Sequence, residues 1–261
     1  MPYHPRSLTR RIVAMTAVPA LALALPLSIE AQDLGNKPAS GDGFLFGRPT
    51  VTTSFYGGFA RPSAGSDVFA FASDNLTLNK GDFAGFSFGG NMGFRMASRL
   101  ELQIGANVMV RTVGSESRDF IGTDDLPIEQ TTIFRRMPVT AGLKYYVTPP
   151  GRSLGKLAWV PNRFATYVAA GGGTMYYSFK QDGEFVDFET LDIFPASLES
   201  KAWTPSGYGA LGVDYTLSPR VGLTSEARYD FARAEMSREF QGFDRIDLSG
   251  ISVNVGLNFR F

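Results

Sequence analysis

The sequence predicts an all-β chain that folds as a closed eight-stranded antiparallel up-and-down transmembrane β-barrel. Three observations predict it. Eight segments alternate apolar and polar residues with a period of two, which is the pattern of a strand with two different faces. The connections between them alternate between short turns and long polar stretches. Past residue 31 no apolar run reaches the roughly 20 residues of a spanning helix, so any membrane residence has to be built from strands.

The alternation is cleanest from Gly250 to Phe261, where Ile251, Val253, Val255, Leu257, Phe259 and Phe261 share one face and Ser252, Asn254, Gly256, Asn258 and Arg260 the other. The N-terminus reads differently. Arg6, Arg10 and Arg11 precede an apolar stretch from Ile12 to Ile29, and a small residue, Ala31, stands at a plausible cleavage point. Pro19 and Pro26 interrupt the stretch, so residues 1–31 are expected to be a cleaved signal peptide rather than an anchor. Residues 32–47 read as a short periplasmic leader and residues 48–261 as the barrel.

The expected strands run over 49–60, 83–96, 100–111, 132–147, 164–179, 202–217, 221–232 and 247–261. In the second, Phe86, Phe88, Met92 and Phe94 oppose Ser87, Asn91, Gly93 and Arg95; in the third, Leu102, Ile104 and Val108 oppose Glu101, Gln103 and Asn107. The fifth is blurred by Gly171, Gly172 and Gly173. A phosphate loop would need a Lys-Ser/Thr and a helix after the glycines; neither follows, so a bulge or a close strand contact is expected.

Only Ala97-Ser98-Arg99 and Ser218-Pro219-Arg220 separate strands two from three and six from seven, whereas residues 61–82, 112–131, 180–201 and 233–246 read as long polar loops. Short turns on one rim and long loops on the other place both termini on the periplasmic side of an outer membrane. Residues 148–163 are the exception, a long segment where a short turn belongs, and they read as a periplasmic connection folded against the interface. Trp159 within it either anchors at the headgroup level or packs beneath the barrel.

The apolar face carries aromatics near both strand ends: Tyr145, Tyr215, Phe259 and Phe261 towards the short turns, and Phe59, Trp203, Tyr229 and Phe231 towards the long loops. These resemble two interfacial girdles. The other face carries Arg95, Glu101, Arg111, Arg136, Lys144, Asp214, Glu226, Arg228 and Arg260 amid Gly, Ser, Thr and Asn. Such a face suits a narrow polar lumen and not an apolar ligand pocket, which argues against a soluble carrier barrel. The turn at Ser98 sets Arg95 opposite Glu101, so an internal ion pair is expected there, within an interior network of Arg136, Lys144, Asp214, Glu226 and Arg228. Barrels of this size are filled by their own side chains, so bulk conduction is not expected.

Strand pattern, loop asymmetry and the aromatic Phe261 together resemble the small outer-membrane β-barrel proteins grouped with the barrel domain of outer-membrane protein A and with outer-membrane protein W. The resemblance covers about residues 48–261. It implies that Phe261, Phe259 and Leu257 are read by the barrel assembly machinery during insertion, and that the chain sits as a monomer among outer-membrane lipid and lipopolysaccharide. Enzymes among small outer-membrane barrels use a histidine, and the single histidine, His4, lies in the expected signal peptide, so no catalysis is expected.

With 25 basic and 25 acidic residues there is no field to attract nucleic acid, and with no cysteine there are no disulfides or thiolate metal sites. The loop acids Asp67, Asp74, Asp119, Asp124, Asp125, Asp187 and Asp192 lack the spacing of a calcium loop and read as solvated surface, so neither cofactor nor metal is expected. The loop apolar residues Phe69, Phe71, Phe185, Phe188, Ile193 and Phe194 read as packing between loops, or else as a cover over the mouth or a partner or hydrophobic-ligand surface. Two functions follow: a structural or surface-interaction barrel with a plugged interior and long extracellular loops, or a narrow channel for small hydrophobic molecules.

Overall fold

The barrel strands are β1 (Val51–Pro62), β2 (Gly85–Arg95), β3 (Leu100–Ile121), β4 (Pro127–Tyr146), β5 (Phe164–Val186), β6 (Ile193–Thr216), β7 (Val221–Ala234) and β8 (Gly250–Arg260). They are seen in a computed structural model that describes residues 43–122, 125–155, 157–187, 190 and 192–261. Each strand pairs antiparallel with the next, and β8 returns to β1 from Gly250↔Pro62 to Arg260↔Thr52, so eight strands close a ring. Closure pairs the backbone polar groups strand to strand, the condition for placing a sheet in hydrocarbon. The expected signal peptide at 1–31 with His4, the leader as far as residue 42, and Asp124, Lys156 and Phe188 lie outside the described residues.

Burial follows the two-residue period. On β8, Ile251, Val253, Val255 and Leu257 are exposed while Ser252, Asn254, Asn258 and Arg260 are buried. The inversion holds round the ring: Phe55, Phe88, Ile104, Val139, Val168, Leu211 and Leu223 face outward. The charged and amide side chains are the interior.

Two expected loops are walls. Segments 112–131 and 180–201 continue the ladder, from Leu100↔Tyr145 to Glu116↔Glu129 between β3 and β4, and without a break from Phe164↔Tyr215 to Val186↔Ile193 between β5 and β6. These four strands are 20 to 24 residues long, against the roughly 9 to 11 that cross a bilayer. Beyond the apolar belt the inner face packs on the inward-folded loops, with Ile128 and Ser200 buried and Val113 and Leu198 against the apolar cluster, so the strict polar-apolar alternation that marks a strand in sequence is no longer required there. Residues such as Thr112, Val113, Thr131 and Thr132 still favour extended backbone.

The other two loops fold inward. Residues Asp67–Asn75 form α1, whose Val68, Phe69 and Ala72 lie on one buried face, and the chain leaves it through an extended Leu76. A 3-10 turn, Lys80–Phe83, follows, held by a reciprocal cap between Asn79 and Asp82. Residues Arg238–Phe240 form a second 3-10 turn, and Ile246–Asp247 pair with the end of β7 instead of starting β8.

At the short-turn end, Gly151–Leu154 and Ala158–Pro161 form a ribbon that Leu45–Phe46 joins as a third strand. Trp159 is 1% exposed, its ring lying where a Cβ on Gly151 would have to go. Of its two readings this is the packed one, since a headgroup anchor needs an exposed ring. The glycine triplet is a close contact and not a bulge: it pairs in register with Thr140, Ala141 and Gly142, and side chains at Gly171 and Gly173 would strike the β4 backbone.

Candidate functional site

The barrel interior is built in tiers. Nearest the short turns, Arg95 and Glu101 sit opposite each other across the β2–β3 turn and form a buried ion pair. Lys144 on β4 reaches past β5 to Asp214 on β6 at 2.9 Å, and the Tyr146 hydroxyl donates to the same carboxylate oxygen at 2.8 Å. The Lys144 ammonium also stands 3.7 Å from the Tyr167 ring centroid, a cation–π contact in a desolvated setting. Arg260 donates to Thr216. A side chain at Gly212, the register partner of Tyr167, would collide with the tyrosine ring, so the small residue makes room for the large one to lie over β6 and reach Glu226 on β7.

Higher up, Tyr167 donates to Glu226 at 3.0 Å, and Arg228 pairs with Asp230 at 2.8 Å while lying 3.8 Å from the Tyr208 ring centroid. Two interior cavities measure about 10 Å³ each, one bordered by Tyr56, Lys144 and Glu226, the other by Tyr56, Thr140 and Arg228. Each is about the size of a single water and smaller than any organic solute.

The loop end is closed differently, by packed apolar groups. Phe69 of α1 inserts among Phe83, Phe134 and Phe179 with ring centroids 4.9, 5.4 and 5.6 Å away, all edge-on. Met109, Met175, Phe240, Ile246 and Leu248 complete the cluster. Edge-on aromatic contacts add to simple burial. Phe69 is therefore core, whereas Phe71, Phe185 and Phe194 remain nearer the surface, Phe185 stacking on Phe194 at 6.2 Å. Phe71, Leu76, Phe120, Ile128, Phe185 and Val186 border a shallow apolar cleft of about 70 Å³.

The expected interior residues Arg95, Glu101, Arg136, Lys144, Asp214, Glu226 and Arg228 all point inward; tyrosines connect several of them, Tyr146 joining Arg95 to Asp214 and Tyr167 joining Lys144 to Glu226. Among the described residues Arg136 has no carboxylate partner; it donates to the carbonyls of Leu248 and Ser249. Glu226 is held by Tyr167 and Arg228 by Asp230. Arg111 is a correction: it is exposed at the loop end, donating to the Asp82 carbonyl, because the wall there has risen above the enclosed lumen.

Sequence reasoning passed over Tyr146 and Tyr167, and set Tyr208 and Asp230 on the polar face without naming them in the ion network. The signal was present, since Tyr146 shares a face with Lys144 two residues away and Asp230 with Arg228.

On the outside, Tyr145, Trp203, Tyr229 and Phe261 are exposed; Tyr215 is half-buried, its hydroxyl accepting from Arg163. Above Trp203, at the loop end, Glu199 accepts from Lys201 and Ser178, and these contacts, Lys201 first, hold its carboxyl below the usual carboxylate range.

No known family model matches the chain. No curated protein matches its sequence. Solved structures similar to it include the outer membrane protein OprG from Pseudomonas aeruginosa, 17% identical with a TM-score of 0.45, covering 83% of this chain and 99% of that one. Neisserial surface protein A is 12% identical with a TM-score of 0.39 over 84% of this chain and 97% of its own. The N-terminal β-barrel domain of Pseudomonas aeruginosa OprF is 12% identical with a TM-score of 0.32 over 82% and 98%.

Proposed function

We propose that the chain is a bacterial outer-membrane β-barrel with a filled polar interior, whose role is structural or lies in surface contacts made by its loop end. The observation that carries this reading is the inside-out burial: apolar residues exposed on all eight strands, and ion pairs such as Lys144–Asp214 enclosed. Water would penalise the first, and only enclosure explains the second. The interior tiers, with cavities of about 10 Å³ between them, and the phenylalanine cap support a barrel that does not conduct.

In this reading the short-turn end and both termini are periplasmic, the tall β3–β6 wall projects outward, and the chain arrives by a cleaved signal peptide. Leu257, Phe259 and Phe261, on the outward face of β8, suit recognition by the barrel assembly machinery.

A channel for small hydrophobic molecules is favoured by one feature, the apolar cleft beside α1, but α1 is seated on the wall by Phe69, packed among Phe83, Phe134 and Phe179. Two measurements test the proposal. The folded protein is expected to migrate faster than the boiled one in detergent gels, as closed barrels do, and to give no steady current in planar bilayers. Persistent open-channel current would overturn the filled interior.

A further inference from the structure

We infer that the outer surface of β1, β8 and β7 at its loop end binds the headgroup of a phosphorylated membrane lipid, gripped by Arg61 and Arg233 above Tyr229 and Phe231. This rests on the membrane placement proposed above and names one lipid site within it. Register places Arg61, Ile251 and Tyr229 in a single row across the three strands. Residues paired in a row share a face, so Arg61 projects outward with the exposed Ile251 and Tyr229. Arg233 lies four residues beyond Tyr229 on the same face, about 13 Å further along β7 and about 10 Å across from β1.

Both arginines are exposed, and neither side chain has a hydrogen bond or ion pair among the described residues. Several other cations at this end are engaged: Lys180 with Asp182, Lys201 with Glu199, Arg245 with Glu235, and Arg111 with the Asp82 carbonyl. Beside Arg233 the surface is indented by an open pocket of about 440 Å³ bordered by Tyr229, Phe231, Asp247 and Ser249.

Tyr229 and Phe231 pack 4.7 Å apart, and the Tyr229 hydroxyl is hydrogen-bonded to Ser63, which fixes the ring at the top of the apolar belt. Aromatic rings settle at headgroup level, and guanidinium forks match phosphate oxygens. Asp247 is the acid bordering the pocket, and its carboxylate is already taken by the N–H groups of Gly65 and Ser249. Below the rings the belt continues through Phe59, Phe86 and Val253, an apolar track for acyl chains. That track selects a lipid over a free anion.

The test is lipid retention. Wild type and the Arg61→Gln/Arg233→Gln double variant are reconstituted in phosphatidylcholine vesicles doped with lipid A, re-extracted in mild detergent, and their bound lipid identified by mass spectrometry. Wild type is expected to retain lipid A over phosphatidylcholine, with the preference falling on the order of fivefold per arginine removed. Arg233→Lys, which keeps the charge, retains part of it, and Arg152→Gln, at the short-turn end, retains all. Equal retention by the double variant, shown to be folded by its gel mobility, overturns the site. Displacement of lipid A by inorganic phosphate alone overturns the lipid as occupant. Protein that inserts yet retains no lipid A sinks this inference only; protein that fails to float with the vesicles sinks it together with the membrane placement.

Discussion

Lys144 and Asp214 form an ion pair, 2.9 Å apart, from two strands that are not neighbours, so the contact passes over the inner face of β5 instead of joining paired strands. Both side chains are almost wholly buried. Removing one charge strands the other in a low-dielectric setting, whereas removing both does not. Asp214→Ala is therefore expected to cost about 3–5 kcal/mol, and Lys144→Met/Asp214→Leu to recover most of it. Urea unfolding in lipid vesicles measures both; a double variant as unstable as the single would show that the pair stabilises the barrel by more than its desolvation cost.

The phenylalanine cap makes a different prediction because it joins α1 to the wall and not strand to strand. Phe69→Ala removes three edge-on ring contacts and leaves a cavity, a loss of about 3–5 kcal/mol in an ordinary core. Nothing in the ladder from Arg260↔Thr52 to Gly250↔Pro62 depends on it. The variant is expected to expose Asp67–Asn75 to protease and hydrogen exchange while the barrel keeps its mobility in detergent gels. Loss of that mobility would show that the cap is needed for closure.

The ring was legible in sequence and its upper part was not, for one physical reason. Period-two alternation is imposed only where one face meets an apolar medium and the other a polar interior, so Ile251 to Phe259 declare their strand while residues 112–121 and 193–201, whose inner face packs through Val113 and Leu198 on the apolar cap, do not. Arg95 and Glu101 could be paired beforehand because a short turn sets their register. Lys144 and Asp214 could not, since their meeting depends on the width of the closed barrel. The cap was legible only from the loop side: Phe69 reads as loop packing, but its partners Phe134 and Phe179 interrupt a polar face, and nothing in a segment without strand pattern says where Phe69 docks.

Glu199 offers a local probe of the loop end. Its carboxyl is held below the usual range first by the hydrogen bond from Lys201, then by Ser178. A depressed carboxylate contributes stability above its unfolded pKa and loses it as pH falls through the folded value. Because the pair is exposed to water, the contribution is small. Lys201→Ala is expected to move the Glu199 titration upward towards an ordinary glutamate, read from the carboxyl carbon by NMR. An unchanged midpoint would mean that Ser178 alone sets it.

The placement of the outer face has the most direct test. Val253 is 52% exposed in the middle of β8, flanked by Phe59 of β1 and Ala227 of β7. On a water-soluble barrel a charge there would be nearly free, as surface substitutions usually fall within about 0.5 kcal/mol. In hydrocarbon an arginine at mid-depth costs about 2–4 kcal/mol, falling towards zero at the interfaces. Val253→Arg is thus expected to lower stability in phosphatidylcholine vesicles by that larger amount. An arginine in place of Phe261, at the belt's edge, should cost about 1 kcal/mol or less. Equal and negligible costs at both positions would remove the lipid from the outer face, and with it the reason for so many exposed phenylalanines.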